Sequence, residues 1–197
     1  PQLKIMLATY FGALGDNLAL ASALPVDGLH VDLVRAPEQL AAVCAALPAG
    51  RVLSLGLVDG RNVWRCNLDN ALVLARYAAA QRDPALLRLA PSCSLLHVPV
   101  DLDQEKSLDA DLRSWLAFAR QKIVELRVLA DALDGKPEAE PALAEAREAL
   151  EARRHSPKVN RPDVAARLAA IDATAARRAS AYPQRAAAQQ AVLGLPL

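Results

Sequence analysis

The chain has 197 residues, and its 23 Lys+Arg against 22 Asp+Glu leave no whole-chain field that argues for nucleic acid or an acidic membrane as partner. Hydrophobic residues make up 53%, enough for a sizeable core, yet no run approaches the roughly 20 apolar residues of a transmembrane helix, which predicts a soluble protein. The three cysteines, Cys44, Cys66 and Cys93, are odd in number and unrelated in spacing, which argues against a disulfide framework and for a reducing, cytoplasmic compartment.

The first residues, Pro1-Gln2-Leu3-Lys4, show neither an initiator Met nor a cleavable leader, as expected of an excised or truncated piece. Residues 5–10 read as a strand, followed by a loop holding Gly12 and Gly15, after which Asp16 or Asn17 is placed to cap a short helix reaching Leu24. Residues 28–34 form the second predicted strand. Pro37 suits the first turn of the next helix, which ends near Leu47 and Pro48. Residues 51–57 are the third strand, 69–81 the third helix with Leu72, Leu74 and Tyr77 among its apolar positions, and 86–91 the fourth strand. Strand–helix alternation at this spacing predicts an α/β fold with a parallel sheet, and no two-residue hairpin turn joins any of the runs.

Composition changes after Asp101. Leu112, Trp115, Leu116, Ala119, Ile123, Leu126, Leu129 and Leu133 recur at helical spacing and predict one long amphipathic helix over 110–133, ended by Gly135 and Pro137. Residues 139–154 and 162–181 read as Ala-rich helices of high propensity but thin apolar faces, a linker or appendage. The expected division is therefore 1–109 for the βα units and 110–197 for the amphipathic helix and helical linker. Four parallel strands form either an open sheet or half of a (β/α)8 barrel, whose full set needs eight strands. The open sheet lacks a Gly-rich phosphate-binding turn, because Gly12-Ala13-Leu14-Gly15 has neither the third glycine nor the lysine. The half barrel would expose two edge strands and an apolar sheet face.

Candidate chemistry collects at the strand ends. Asp59, Arg61, Asn62, Trp64 and Arg65 follow the third strand, where a solvated loop with Trp64 packed on the next helix competes with a rim whose arginines fork a carboxylate or phosphate. Asp32 reads as a structural acid bonded to Arg35 or Arg61, and His30, two residues before it, shares its face. Ser92 and Cys93 open a polar turn in which the thiol reads as inert, and His97 reads as a loop hydrogen-bonder. Arg153-Arg154-His155 reads as a solvated helix end. No nucleophile–base–orienter set is visible, so no catalytic residue is assigned.

Four ordered strand ends carry a resemblance: Leu7-Ala8-Thr9-Tyr10-Phe11-Gly12, Gly28-Leu29-His30-Val31-Asp32-Leu33-Val34-Arg35, the run from Leu53 through Asp59-Gly60-Arg61-Asn62-Val63-Trp64-Arg65, and Ser92-Cys93-Ser94-Leu95-Leu96-His97-Val98-Pro99-Val100-Asp101-Leu102. Together with Ser114-Trp115-Leu116-Ala117-Phe118-Ala119, Ala152-Arg153-Arg154-His155-Ser156 and Arg185-Ala186-Ala187-Ala188-Gln189, they resemble the N-terminal domain of cobalamin-independent methionine synthase. That family consists of zinc enzymes that move a methyl group from methyltetrahydropteroyl-polyglutamate to homocysteine. The resemblance implies two barrels joined by a helical linker, with this chain as the second half of the first barrel plus the linker. It implies that zinc, homocysteine and the methyl-transfer machinery belong to the other barrel, and that the remainder of the two-barrel enzyme is the partner. Laid on the family's zinc pattern, the His-x-Cys place falls on Ala8 and Tyr10, the Glu place near Asp32 and the last Cys near Cys93, so no cofactor is expected in this chain. The alternative is a half barrel that associates with a second copy through its exposed edges and transfers no methyl group.

Overall fold

The computed structural model describes residues 3–194. Its four strands, β1 (Met6–Ala8), β2 (Gly28–Asp32), β3 (Val52–Val58) and β4 (Leu87–Pro91), pair in parallel in the order β1-β2-β3-β4. Alternation along β2 and β3 sends Leu29, Val31, Leu53 and Leu55 to one face, in the register Leu29↔Leu53↔Leu87, and all four are fully buried. Burial of each such side chain contributes on the order of 2 kcal/mol. This leucine face packs in one core with α1 (Leu18–Ala23), α2 (Leu40–Ala46) and α3 (Leu68–Gln81).

The opposite face holds His30, Asp32, Ser54 and Gly56 in adjacent register. Among the described residues the apolar sheet face expected of a half barrel is therefore not found on β2 and β3, because small and polar side chains occupy their inward positions. Exposed apolar side chains collect instead around the β1 edge, at Leu3, Ile5, Met6, Tyr10 and Phe11. Gly56 is required sterically. A Cβ there would lie 2.8 Å from the Val31 carbonyl oxygen and 2.9 Å from Ser92 Cα, backbone atoms that cannot swing away.

The predicted strands are all present, β1 and β2 in shorter form. Neither Asp16 nor Asn17 caps α1 with its side chain; a 3-10 turn at Gly15–Asn17 leads in directly. Asn67 does cap α3, its side-chain oxygen accepting the Asn70 N–H. Arg82, just past α3, donates to the carbonyls of Cys44, Leu47, Pro48 and Arg51 and so satisfies the orphan end of α2.

The single helix expected over 110–133 is two helices, α4 (Ala110–Ser114) and α5 (Ala119–Leu133). Between them Leu116 bridges Trp64 antiparallel, with Arg65 N–H to Trp115 O at 2.9 Å and Ala117 N–H to Val63 O at 2.8 Å. The apolar period is unbroken in the sequence, but it serves two cores. Leu116 and Phe118 join Leu102 in a small cluster beside Trp64, whereas Leu129 enters the main core. The buried face of α5 is also rotated from expectation: Ile123 is 59% exposed, while Lys122 is 0% and Glu125 9% exposed. Gly135, at φ 73°, ends the last turn in the left-handed region that favours glycine.

The helix α6 (Glu140–His155) follows, then α7 (Pro162–Ala169) and α8 (Tyr182–Leu193). The helix expected over 162–181 thus stops at Ala169, and α8 takes up the Arg185 segment. The chain divides into two compact units, the first ending at Arg154 and the second beginning at His155. Residues 110–154 fall in the first, because α5 packs on α3 and β4. None of the described helices is long and apolar enough to cross a membrane.

Candidate functional site

Asp32 closes β2 at 1% exposure, and both its oxygens are committed to backbone. Oδ2 accepts the Phe11 N–H at 2.9 Å, and Oδ1 accepts the N–H groups of Val34 and Arg35 at 2.9 Å each. The expected side-chain partner, Arg35 or Arg61, is replaced by amides, since a buried strand end has several unpaired N–H groups and little room for a guanidinium. Gln39 extends the lock by donating to the Asp32 carbonyl and accepting from Leu14 N–H. One carboxylate thereby joins the loops after β1 and β2. His30 lies on the same face as expected, its Nδ1 2.9 Å from Ser54 Oγ and its Nε2 3.3 Å from the Ser92 carbonyl.

The loop after β3 folds on Asp59. Its Oδ1 accepts the Arg61 N–H at 2.8 Å, its Oδ2 accepts from Asn62 Nδ2 at 2.6 Å, and Arg35 Nη2 stands 3.6 Å away. Asn62 Oδ1 in turn accepts the Trp64 N–H at 3.0 Å. These nested Asx turns shape the loop from within. Gly60 brings it against the β4 end, donating to Ser92 Oγ at 3.2 Å, and a Cβ there would meet Cys93 O at 2.8 Å and Sγ at 2.9 Å. Burial pushes the Cys93 thiol upward.

Above this floor three loops converge on Phe11, which sequence reading passed over. Its φ of 74° places a bulky side chain in the left-handed region, at a strain of about 1–3 kcal/mol. The ring is 45% exposed, with Tyr10 edge-on at 4.8 Å, His97 at 5.8 Å and the Arg61 guanidinium 4.3 Å from its centroid. His97 thus enters the rim through its ring. Asp32, Asp59, Arg61, Asn62, Ser92, Cys93 and His97 therefore belong to one connected strand-end assembly.

Trp64 and Arg65 leave it. Trp64 packs beside Leu116 and under Arg153, and Arg65 pairs with Glu145 of α6 at 2.7 Å. Arg153 is correspondingly a stacked cation and not a solvated one. Behind the same segment, Lys122 Nζ donates to Trp64 O at 3.0 Å and Glu125 Oε1 accepts the Cys66 N–H at 2.9 Å. Glu125 Oε2 is buried without a partner. A Lys and a Glu three apart on a helix ordinarily mark a wet face, so no local signal in the sequence announced this grip.

Burial first, and then the neighbouring Glu125 charge, push the Cys66 thiol up to about 12 from a model-compound value of 9.0. Because the folded value is raised, the protonated thiol's contribution to stability is whole below about pH 9 and is lost as pH rises toward 12. Denaturation midpoints followed from pH 8 to pH 11 are therefore expected to fall more steeply for the parent chain than for Cys66→Ala. Equal slopes would contradict this.

The positions laid on a zinc pattern do not fit the metal. Ala8 offers no donor, the Tyr10 ring packs on Phe11, the Asp32 oxygens hold three amides, and the Cys93 thiol is raised by burial and directed to the Ser94 carbonyl. Among the described residues no three His, Cys, Asp or Glu side chains group as a metal site. What the assembly offers is a rigid rim with a cation on an exposed aromatic ring, suited to binding.

Residues 1–82 match the family described as "Cobalamin-independent synthase, N-terminal domain". Over 196 residues and the whole of its length, the chain is 68% identical to the 5-methyltetrahydropteroyltriglutamate–homocysteine methyltransferases of Xylella fastidiosa strains M23 and Temecula1, and 67% identical to that of strain 9a5c. Along its whole length the chain is therefore similar to methyltransferases of that name, and its first 82 residues to the N-terminal domain of a cobalamin-independent synthase. It spans about a quarter, 26%, of the length of these curated relatives. Among the residues that carried the resemblance, Asp32, Asp59, Gly60 and Ser92 lock the loops together.

Proposed function

We propose that this chain is part of a zinc-dependent methyltransferase that passes a methyl group from methyltetrahydropteroyl-polyglutamate to homocysteine, and that its own share is architectural. The identity of 68% along the whole chain to relatives of that name carries the reading. Four parallel strands in sequence order beneath one helical layer support a place as four of the eight βα units of a barrel, with residues 110–197 as the helical extension. The compartment is the cytoplasm, in keeping with free Cys44, Cys66 and Cys93.

In this reading the strand-end rim supports the folate tail. Arg61 and Arg35 meet its carboxylates beside Phe11 and His97, while Asp32, Asp59, Asn62, Ser92 and Cys93 hold the rim in shape and Trp64 and Arg65 brace it from behind. Zinc and the methyl-transfer groups lie in the part of the relatives' length that this chain does not span. The purified chain, given methyltetrahydropteroyl-triglutamate, homocysteine and zinc, is expected to form no methionine. Sustained turnover would overturn the architectural role.

A second reading rests on the edges of the sheet. β1 and β4 each have one unpaired side, and Leu3, Ile5 and Met6 are exposed near the first. Two copies pairing β4 to β1 would complete eight strands. Light scattering on the eluting chain is then expected to give a dimer mass, and a stable monomer excludes it.

A further inference from the structure

Arg153, near the end of α6, has no carboxylate within ion-pair distance among the described residues, and its guanidinium lies 3.7 Å from the centre of the Trp64 ring. Both side chains line a cavity of about 620 Å³ on the helix-covered side of the strand ends. Its apolar wall comes from Val34 and Pro37 after β2, Leu57 of β3 and Leu74 of α3. Its polar side comes from Asn67 and Asn70 of the α3 start, with Asp59, Asn62 and Arg65, of which Asp59 is held by the Arg61 and Asn62 N–H groups and Arg65 by Glu145. That volume falls within the range of small-molecule sites, which combine such walls with a few convergent polar groups.

Docking of α6 does not explain this arginine. Arg147 already clamps Asp69 of α3 through two bonds of 2.7 and 3.0 Å, and Arg65 already reaches Glu145. A guanidinium held over an indole loses hydration from one face, and its N–H fork still matches the two oxygens of a carboxylate. The start of the 14-residue helix α3 adds a partial positive charge on the same side of the cavity.

We propose that this cavity binds a small organic monocarboxylate, with the carboxylate held by the Arg153 fork and an aryl or branched apolar body against Leu57 and Leu74. The cavity shares Asp59 and Asn62 with the strand-end assembly, but Arg61 and Phe11 do not line it, and the site stands whether or not the chain supports a folate tail.

The test is calorimetric titration of the purified 197-residue chain with 2-naphthoate, paired with its neutral isostere 2-naphthamide. Saturable one-to-one binding with Kd below about 1 mM is expected, with the amide at least about tenfold weaker. Arg153→Ala should weaken naphthoate by about tenfold or more, and Arg153→Lys should lose most of that, since a lysine keeps the charge without the fork. Leu74→Trp, which fills the cavity and leaves Arg153 in place, should abolish binding and covers the case in which an Arg153 variant fails to fold. Absence of saturation, equal affinity for the amide, or undiminished binding by Arg153→Ala or by Leu74→Trp would each overturn the proposal.

Discussion

Replacement of Asp32 by alanine is expected to lower unfolding free energy by about 4 kcal/mol, measured by urea titration. The side chain is 1% exposed and holds three backbone N–H groups at 2.9 Å. Each charge-assisted bond contributes roughly 1.5–3 kcal/mol, and an orphaned buried N–H costs roughly 1–3 kcal/mol, with overlap among the three keeping the total below the sum. Asp32→Asn should lose about half as much. One carbonyl oxygen can serve either Phe11 or the Val34–Arg35 pair, and the amide then turns N–H toward N–H on the other side. Since the Phe11 bond also restrains a residue at φ 74°, both variants should release hydrogen-exchange protection at Phe11 before the strands lose theirs. A loss under about 1 kcal/mol for the alanine variant would show that water replaces the carboxylate, and the loop lock would be refuted.

The second large effect is expected at Lys122. Its ammonium is buried, donates to the Trp64 carbonyl, and acts on Glu125 across a gap wider than a direct ion pair. Burial dominates both partners, pushing the lysine down and the glutamic acid up, while each charge pulls the other back. Lys122→Met leaves Glu125 without its counter-charge and the Trp64 carbonyl without its donor, for an expected loss of about 3–5 kcal/mol. Lys122→Met combined with Glu125→Gln should recover about 1 kcal/mol or more of this, because the uncompensated charge is gone. Strict additivity in that double-mutant cycle would remove the electrostatic link between α5 and the Trp64–Cys66 segment.

The cycle bears on what the sequence could reveal. Lys122 and Glu125 sit three apart on an otherwise ordinary amphipathic helix, and nothing local marks them as buried. Their burial follows from the break at residues 115–118, where Leu116 pairs with Trp64 and turns α5 about its axis. That pairing joins residues more than fifty positions apart, beyond the reach of a periodicity argument. The strands are the opposite case. Leu29, Val31, Leu53 and Leu55 are buried because their apolar runs are short, flanked by turn residues and separated by helical stretches, so strand, helix and parallel order were readable together. Candidate residues at the strand ends were readable for the same reason, since the end of a buried strand is where polar side chains must gather.

Roles at the site were less accessible. Asp32 was legible as a structural acid, but its amide partners depend on three loops meeting, and Phe11 entered only because its backbone is held in a conformation no residue type announces. Arg153 looked like a solvated cation until α6 brought it onto Trp64.

From the opening stretch to Arg65 to the helices beyond Ala110, the sequence by itself determined the α/β class, the four parallel strands and the family resemblance, because these rest on local periodicity and on ordered motifs. The tertiary structure alone decided which charges are buried, which loop amides Asp32 holds, and that Arg61 and Arg153 serve separate places. Those outcomes depend on contacts between distant segments, where desolvation and geometry, and not residue type, set what a side chain does.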